Sequence, residues 1–159
     1  MLAAAAIADR FVNRGTLVEA LDRSGQPVPG LASKVVATEG EKLNWPLAVL
    51  LDGRTSSAAE LLAAALAWND RAILIGQRSF GKTTVLKLYH YPQDDLTLRL
   101  AVAYMRAAGR RLDPAGIVPD LALVPDETDP EAAPRLARRL ILEQGRASRS
   151  EWLSRVSGG

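Results

Sequence analysis

An α/β fold with a helical C-terminal extension is what this sequence predicts, and three observations carry it. A continuous apolar run, Pro46-Leu-Ala-Val-Leu-Leu51, and a second buried-strand pattern, Arg71-Ala-Ile-Leu-Ile75, flank the Ala/Leu-rich stretch Ala58–Trp68, in the order strand, helix, strand. Residues 83–91 and 96–104 are rich in β-branched and aromatic side chains that alternate with period two, the mark of paired strands. After Asp120 the pattern turns polar and helical, with Arg and Glu interspersed on what reads as a solvated face.

Element by element, residues 2–14 read as a helix with Leu2, Ala6, Ala8, Phe11 and Val12 available to its apolar side and Gly15 as its stop. Residues 16–21 read as a strand, Ser24-Gly-Gln-Pro27 as a turn, and residues 34–38 as a second strand. Residues 46–51 suit a strand covered on both faces. Asp52-Gly-Arg-Thr-Ser-Ser57 breaks that strand and leads into the strongest helix of the chain, after which residues 71–75 return as a buried strand. Pro92-Gln-Asp-Asp95 joins the two period-two strands as a hairpin. Residues 109–119 form a loop, and two helical pieces follow, over 130–143 and around 150–156.

Composition narrows the chemistry. At 159 residues with 48% apolar and 24% charged side chains, the chain is globular, and its length buries roughly two-thirds of the unfolded surface. It has no cysteine, which removes disulfides, iron–sulfur clusters, thiolate zinc sites and a cysteine nucleophile together. With a single histidine, His90, a metal cage would have to be built from carboxylates, and no cofactor is expected. The net charge is +2 and the charges are interspersed, so no nucleic-acid footprint is indicated. No apolar run reaches the roughly 20 residues that span a bilayer. The apolar start lacks a basic flank and reads as helix, not as a signal peptide, and its abruptness suggests a truncated beginning.

Two motifs compete for function. Gly76-Gln-Arg-Ser-Phe-Gly-Lys82-Thr83 matches the phosphate-binding pattern G-x-x-x-x-G-K-[ST]. That chemistry needs a helix right after the lysine, and Thr83-Thr-Val-Leu-Lys-Leu reads as strand, so the match is taken as accidental. Ser57 instead stands where a buried strand turns into a helix. There its hydroxyl is presented at the helix mouth, and the Ala58 N–H faces whatever the hydroxyl attacks. The bland alternative is a capping box, Ser57-Ala-Ala-Glu60, with Ser57 as N-cap and Glu60 at N3. Ser56 is a fallback nucleophile one residue off the motif, and His90, at the far end of a strand, reads as an ordinary strand histidine.

Taken together, Thr55-Ser-Ser-Ala-Ala-Glu60, the Ala/Leu helix, Asp70-Arg-Ala-Ile-Leu-Ile-Gly76 and Ser79-Phe-Gly-Lys82 resemble the C-terminal processing, or tail-specific, proteases. Ala103-Tyr-Met-Arg-Ala-Ala-Gly109-Arg and Gly116-Ile-Val-Pro-Asp120 extend the resemblance to about residue 125. The resemblance implies a β-β-α spiral of the crotonase and Clp protease type, with residues 1–125 a partial catalytic domain and 126–159 a helical extension. It implies a Ser/Lys dyad in which Ser57 is the nucleophile and Lys82 the general base, 25 residues apart. On the same resemblance the oxyanion N–H is expected from Ala58, the substrate is expected to be a polypeptide and the compartment periplasmic or otherwise extracytoplasmic; oligomeric state is left open.

Such a serine needs a base, and a lysine serves only as the neutral amine, which desolvation favours. Phe80 and the apolar strands 73–75 and 85–88 are expected to supply that dry surround. Two departures stand out. Leu86 occupies the place where many family members carry a glutamine that orients the base. The upstream PDZ domain and glycine-rich strand end of the family are expected to be missing. A non-catalytic binding or scaffold domain on the same fold is the alternative reading, with a phosphate-binding module through Gly76 to Thr83 behind it.

Overall fold

The computed structural model describes residues 1–31, 34–124, 129–145 and 147–157; the 125/126 boundary expected between the two parts of the chain lies outside the described residues. Helix α1 (Leu2–Asp9) opens the chain and packs against α2 (Ala58–Trp68). Their contact is made by small residues: Ala5 and Ala8 of α1 share one buried cluster with Ala63, Ala64 and Ala67 of α2, which lets two helices lie close together. An alanine-rich core is what a chain with 5% aromatics must build.

Two sheets flank these helices. The first is antiparallel, in the order β2 (Lys34–Val36), β1 (Thr16–Leu21), β6 (Leu96–Ala107), β5 (Thr84–Tyr91), with the short β7 (Arg110–Arg111) also on β6. Its register is pinned by charge: Glu19 of β1 lies opposite Lys34 of β2 and Arg106 of β6, and its carboxylate meets both, at 3.7 and 3.2 Å. The second sheet is parallel, in the order β3 (Ala48–Leu51), β4 (Ile73–Gly76), β8 (Leu121–Ala122). Strand β4 is buried on both faces, as its unbroken apolar sequence requires. Leu74 joins the cluster of α1 and α2, while Ile73 and Ile75 join Ala137 and Leu140 of α3 (Ala132–Gln144) and Trp152 of α4 (Arg149–Ser157).

The C-terminal helices are thus part of the packed body. Arg149 clamps Asp120 through Nε and Nη2, at 3.0 and 2.5 Å, while Asp120 Oδ2 also accepts the Leu74 N–H at 2.9 Å. Asp70 accepts from both the N–H and the hydroxyl of Ser150, at 2.6 and 2.7 Å. The closing Asp of the Gly116–Asp120 motif therefore anchors α4 to β4.

Three expectations need correction. Strand β3 is an edge, with Leu50 42% exposed, because among the described residues only β4 pairs with it. Helix α1 ends at Asp9, with Arg10 as its C-cap, well before Gly15, because the segment 38–43 crosses its end: the Leu43 N–H donates to the Arg10 carbonyl at 2.7 Å. Finally, β8 forms just past the expected 109–119 loop, where the chain was expected to turn polar and helical, its partner β4 lying some 46 residues earlier in the chain.

The same crossing sets an acid-sensitive contact. Burial pushes the Asp9 carboxyl up, but the Thr38 hydroxyl, the Lys42 ammonium and the Thr38 N–H outweigh it and hold the pKa at about 2. An unfolded chain would bind that proton near 3.8. The contact is therefore fully present above about pH 4 and lost as pH falls towards 2. We expect denaturant midpoints to fall over that window in the native chain and to fall less in Asp9→Asn. An equal fall in both would assign the acid sensitivity to another carboxylate.

Candidate active site

The turn from β3 into α2 puts Ser57 at the helix N-cap with φ +58° and ψ −117°. A left-handed backbone at a residue with a Cβ costs on the order of 1–2 kcal/mol and persists only where neighbours over-determine it. The neighbour responsible is Glu60, one turn along α2, which is fully buried. Glu60 Oε2 accepts the Ser57 N–H at 2.8 Å, the capping-box contact expected from Ser57-Ala-Ala-Glu60.

Glu60 does more than cap. Its Oε2 also accepts the Lys82 N–H at 2.8 Å, and its Oε1 accepts the Gly81 N–H at 2.7 Å and the Ser79 hydroxyl at 2.5 Å. One carboxylate thus joins the turn that carries Ser57 to the loop that carries Lys82. This also overturns the phosphate-loop reading. The N–H groups that would face a phosphate face Glu60, and Lys82 is followed by strand β5, not by a helix.

The loop is braced from the far side by the Gly116–Asp120 segment. Ser79 Oγ accepts the Ile117 N–H at 2.7 Å, and the Ser79 N–H donates to the Ile117 carbonyl at 3.1 Å. Backbone approaches backbone so closely that a Cβ on Gly81 would lie 2.1 Å from the Pro114 carbonyl oxygen, and one on Gly116 would lie 2.1 Å from that of Ser79. The Phe80 N–H donates to the Thr55 carbonyl at 2.9 Å, tying the loop again to the serine turn.

Ser57, Ala58 and Lys82 line one cavity of about 260 Å³, with Thr84, Val85 and Leu86 of β5 and with Met1 and Met105. Ser56 does not reach it. Among the described residues nothing accepts the Ala58 N–H, the first of the orphan donors at a helix start. No hydrogen bond joins Ser57 to the Lys82 amine, which has no hydrogen-bond or ion-pair partner among the described residues. His90 lies six residues along β5 from Thr84, about 20 Å at a strand's rise, and pairs with the Thr97 hydroxyl at 2.9 Å. It takes no part in the cavity.

The dry surround expected for Lys82 is not present. Phe80 is 67% exposed, Lys82 itself is exposed, and beyond Val85 the β5–β6 hairpin stands in solvent on both faces, with Leu88 60% exposed. A two-stranded ribbon has no third layer to bury it, and sequence periodicity cannot report that. A larger cavity, about 470 Å³, lies between the ends of β3 and β4 and the start of α3. Its Asp52 is held below the usual carboxylate range by the Thr55 hydroxyl, with the Thr55 and Arg54 N–H groups adding to this, which outweighs burial. That carboxylate is already committed to its own turn, so the smaller cavity is the better candidate.

Comparison with known proteins gives the family. A family model described as Peptidase family S41 matches residues 1–123. A carboxy-terminal-processing protease of Bartonella bacilliformis is 33% identical over 121 residues, 76% of this chain and 27% of that protein. A carboxyl-terminal-processing protease of Picosynechococcus is 34% identical over 117 residues, 73% of this chain and 24% of its own. The solved photosystem II D1 C-terminal processing protease superposes with a TM-score of 0.68 at 29% identity, covering 86% of this chain and 34% of that one. The chain spans about a quarter of the length of the curated relatives it matches. On the strength of the family match over residues 1–123, the chain belongs to peptidase family S41.

Proposed function

We propose that this chain carries the reaction centre of a serine peptidase in which Ser57 is the nucleophile and Lys82 the general base, on a core of the crotonase/Clp spiral type spanning residues 1–125. The observation that carries the reading is that Ser57, the unpartnered Ala58 N–H and Lys82 line one cavity. Ser57 Oγ adds to the carbonyl carbon of a bound polypeptide while its proton passes to the neutral Lys82 amine. The carbonyl oxygen gains charge beside the Ala58 N–H at the positive end of α2. The C–N bond then breaks as the Lys82 ammonium returns a proton to the leaving amine. Water, deprotonated by Lys82, splits the resulting ester. Because Lys82 is exposed in the free chain, the bound polypeptide must supply the desolvation by covering the cavity. No cofactor takes part.

A second reading, a non-catalytic binding domain on the same fold, is favoured by the lack of a hydrogen bond between Ser57 and the Lys82 amine among the described residues and by the apolar Leu86 on the cavity wall. Reaction with a fluorophosphonate separates the two. The peptidase reading expects a single adduct mapped to Ser57 by mass spectrometry and absent in Ser57→Ala. A chain that stays unmodified, or is modified elsewhere, supports the binding domain.

A further inference from the structure

Building on that reading of Ser57 and Lys82, we propose that Glu60 is the positioning residue that sets the nucleophile and the base relative to each other. Among the described residues, the hydrogen bonds that join the Ser57 turn to the Lys82 loop are those of this carboxylate and the backbone contact of Phe80 with Thr55. Both dyad residues are held by the same oxygen, Glu60 Oε2, through their own N–H groups at 2.8 Å. The other oxygen fixes Ser79 and Gly81, immediately before the base. Full burial removes water as a competitor for these donors, so the four bonds act in a low-dielectric surround where charge-assisted bonds are strongest.

The same contacts explain the left-handed backbone of Ser57. With its N–H drawn inward to Glu60, the serine side chain is turned to the cavity side of the helix mouth. Glu60 touches neither substrate nor reacting atoms; it acts through the two residues that do.

Glutamine is the informative replacement. Whichever way its amide turns, the NH₂ group meets N–H donors, those of Ser57 and Lys82 on one side or that of Gly81 on the other. The experiment is the rate constant and the final stoichiometry of fluorophosphonate labelling at Ser57 in the 159-residue chain. For Glu60→Gln we expect full stoichiometry with a rate constant lowered about 10- to 100-fold, the scale of a small misplacement of reacting groups. In a Lys82→Ala background the same change is expected to add nothing, since the positioned base is gone. A purely structural role would instead lower the labelled fraction at an unchanged rate constant. Should Glu60→Gln fail to fold, Ser79→Ala removes one donor while leaving the carboxylate, with an expected slowing of about three- to tenfold. Native rate constants in the folded variants would overturn the inference for Glu60 alone. Native protein that does not label at Ser57 would overturn the dyad reading, and this inference with it.

Discussion

Lys82→Ala is expected to slow fluorophosphonate labelling of Ser57 by about 10²–10⁴-fold, the usual worth of a general base, with the fold intact. The fold should survive because the Lys82 side chain makes no hydrogen bond or ion pair among the described residues, and its backbone N–H still reaches Glu60. Lys82→Arg should be as slow as Lys82→Ala. Arginine matches the length and charge but does not give up its proton, so it keeps the electrostatics and loses the base. This pair of variants therefore distinguishes proton transfer from simple attraction of an anionic probe. An arginine variant labelling at the native rate would show that Lys82 serves as a cation only.

Gly116→Ala is expected to disable the site from 34 residues downstream of Lys82. At φ +92° an alanine is strained wherever it stands, and here its Cβ would meet the Ser79 carbonyl oxygen at 2.1 Å. Neither atom can swing aside, since the Cβ is fixed directly to Cα, the oxygen belongs to the backbone, and the Ser79 and Ile117 backbones are hydrogen-bonded to each other. We expect a loss of about 3 kcal/mol or more in denaturant unfolding, together with slower labelling of Ser57. Gly25→Ala is the control: its φ is +77° but it has open space around it, so only about 1 kcal/mol of strain should follow. Equal effects at the two positions would show that the close approach of the two loops carries no weight.

How much of this was legible in the sequence varies by element. Helix α2 and strand β1 coincide with their expected bounds, because local periodicity and composition settle an element that packs in the ordinary way. The hairpin of β5 and β6 was likewise visible, its strands being adjacent in the chain. Pairing partners were less so. That β1 lies between β2 and β6, or that β8 completes the parallel sheet, depends on long-range closure that no window of residues reports. Burial failed for a related reason. Leu50, Leu86 and Leu88 are apolar residues of apparent core strands, yet each stands at an edge or on a ribbon with no further layer.

Within the site, Ser57, Ala58 and Lys82 were all named from sequence, and the structure brings them to one cavity. Glu60 was seen only as a helix cap. A signal was present: an acidic residue early in an otherwise apolar, buried helix is costly unless something pairs with it. Its partners, however, are two backbone N–H groups and a hydroxyl about twenty residues away, none of which a sequence pattern marks. The Gly116–Asp120 motif was likewise noticed without a role. It braces the Lys82 loop at one end and receives Arg149 of the C-terminal extension at the other.

The measurement that tests the dyad most directly is a crystal structure of the chain with a peptidyl phosphonate bonded to Ser57. The reading expects Lys82 Nζ within about 3.2 Å of Ser57 Oγ, and a phosphonyl oxygen within hydrogen-bond distance of the Ala58 N–H. An adduct in which Lys82 still points to solvent, or one formed on another residue, would contradict it.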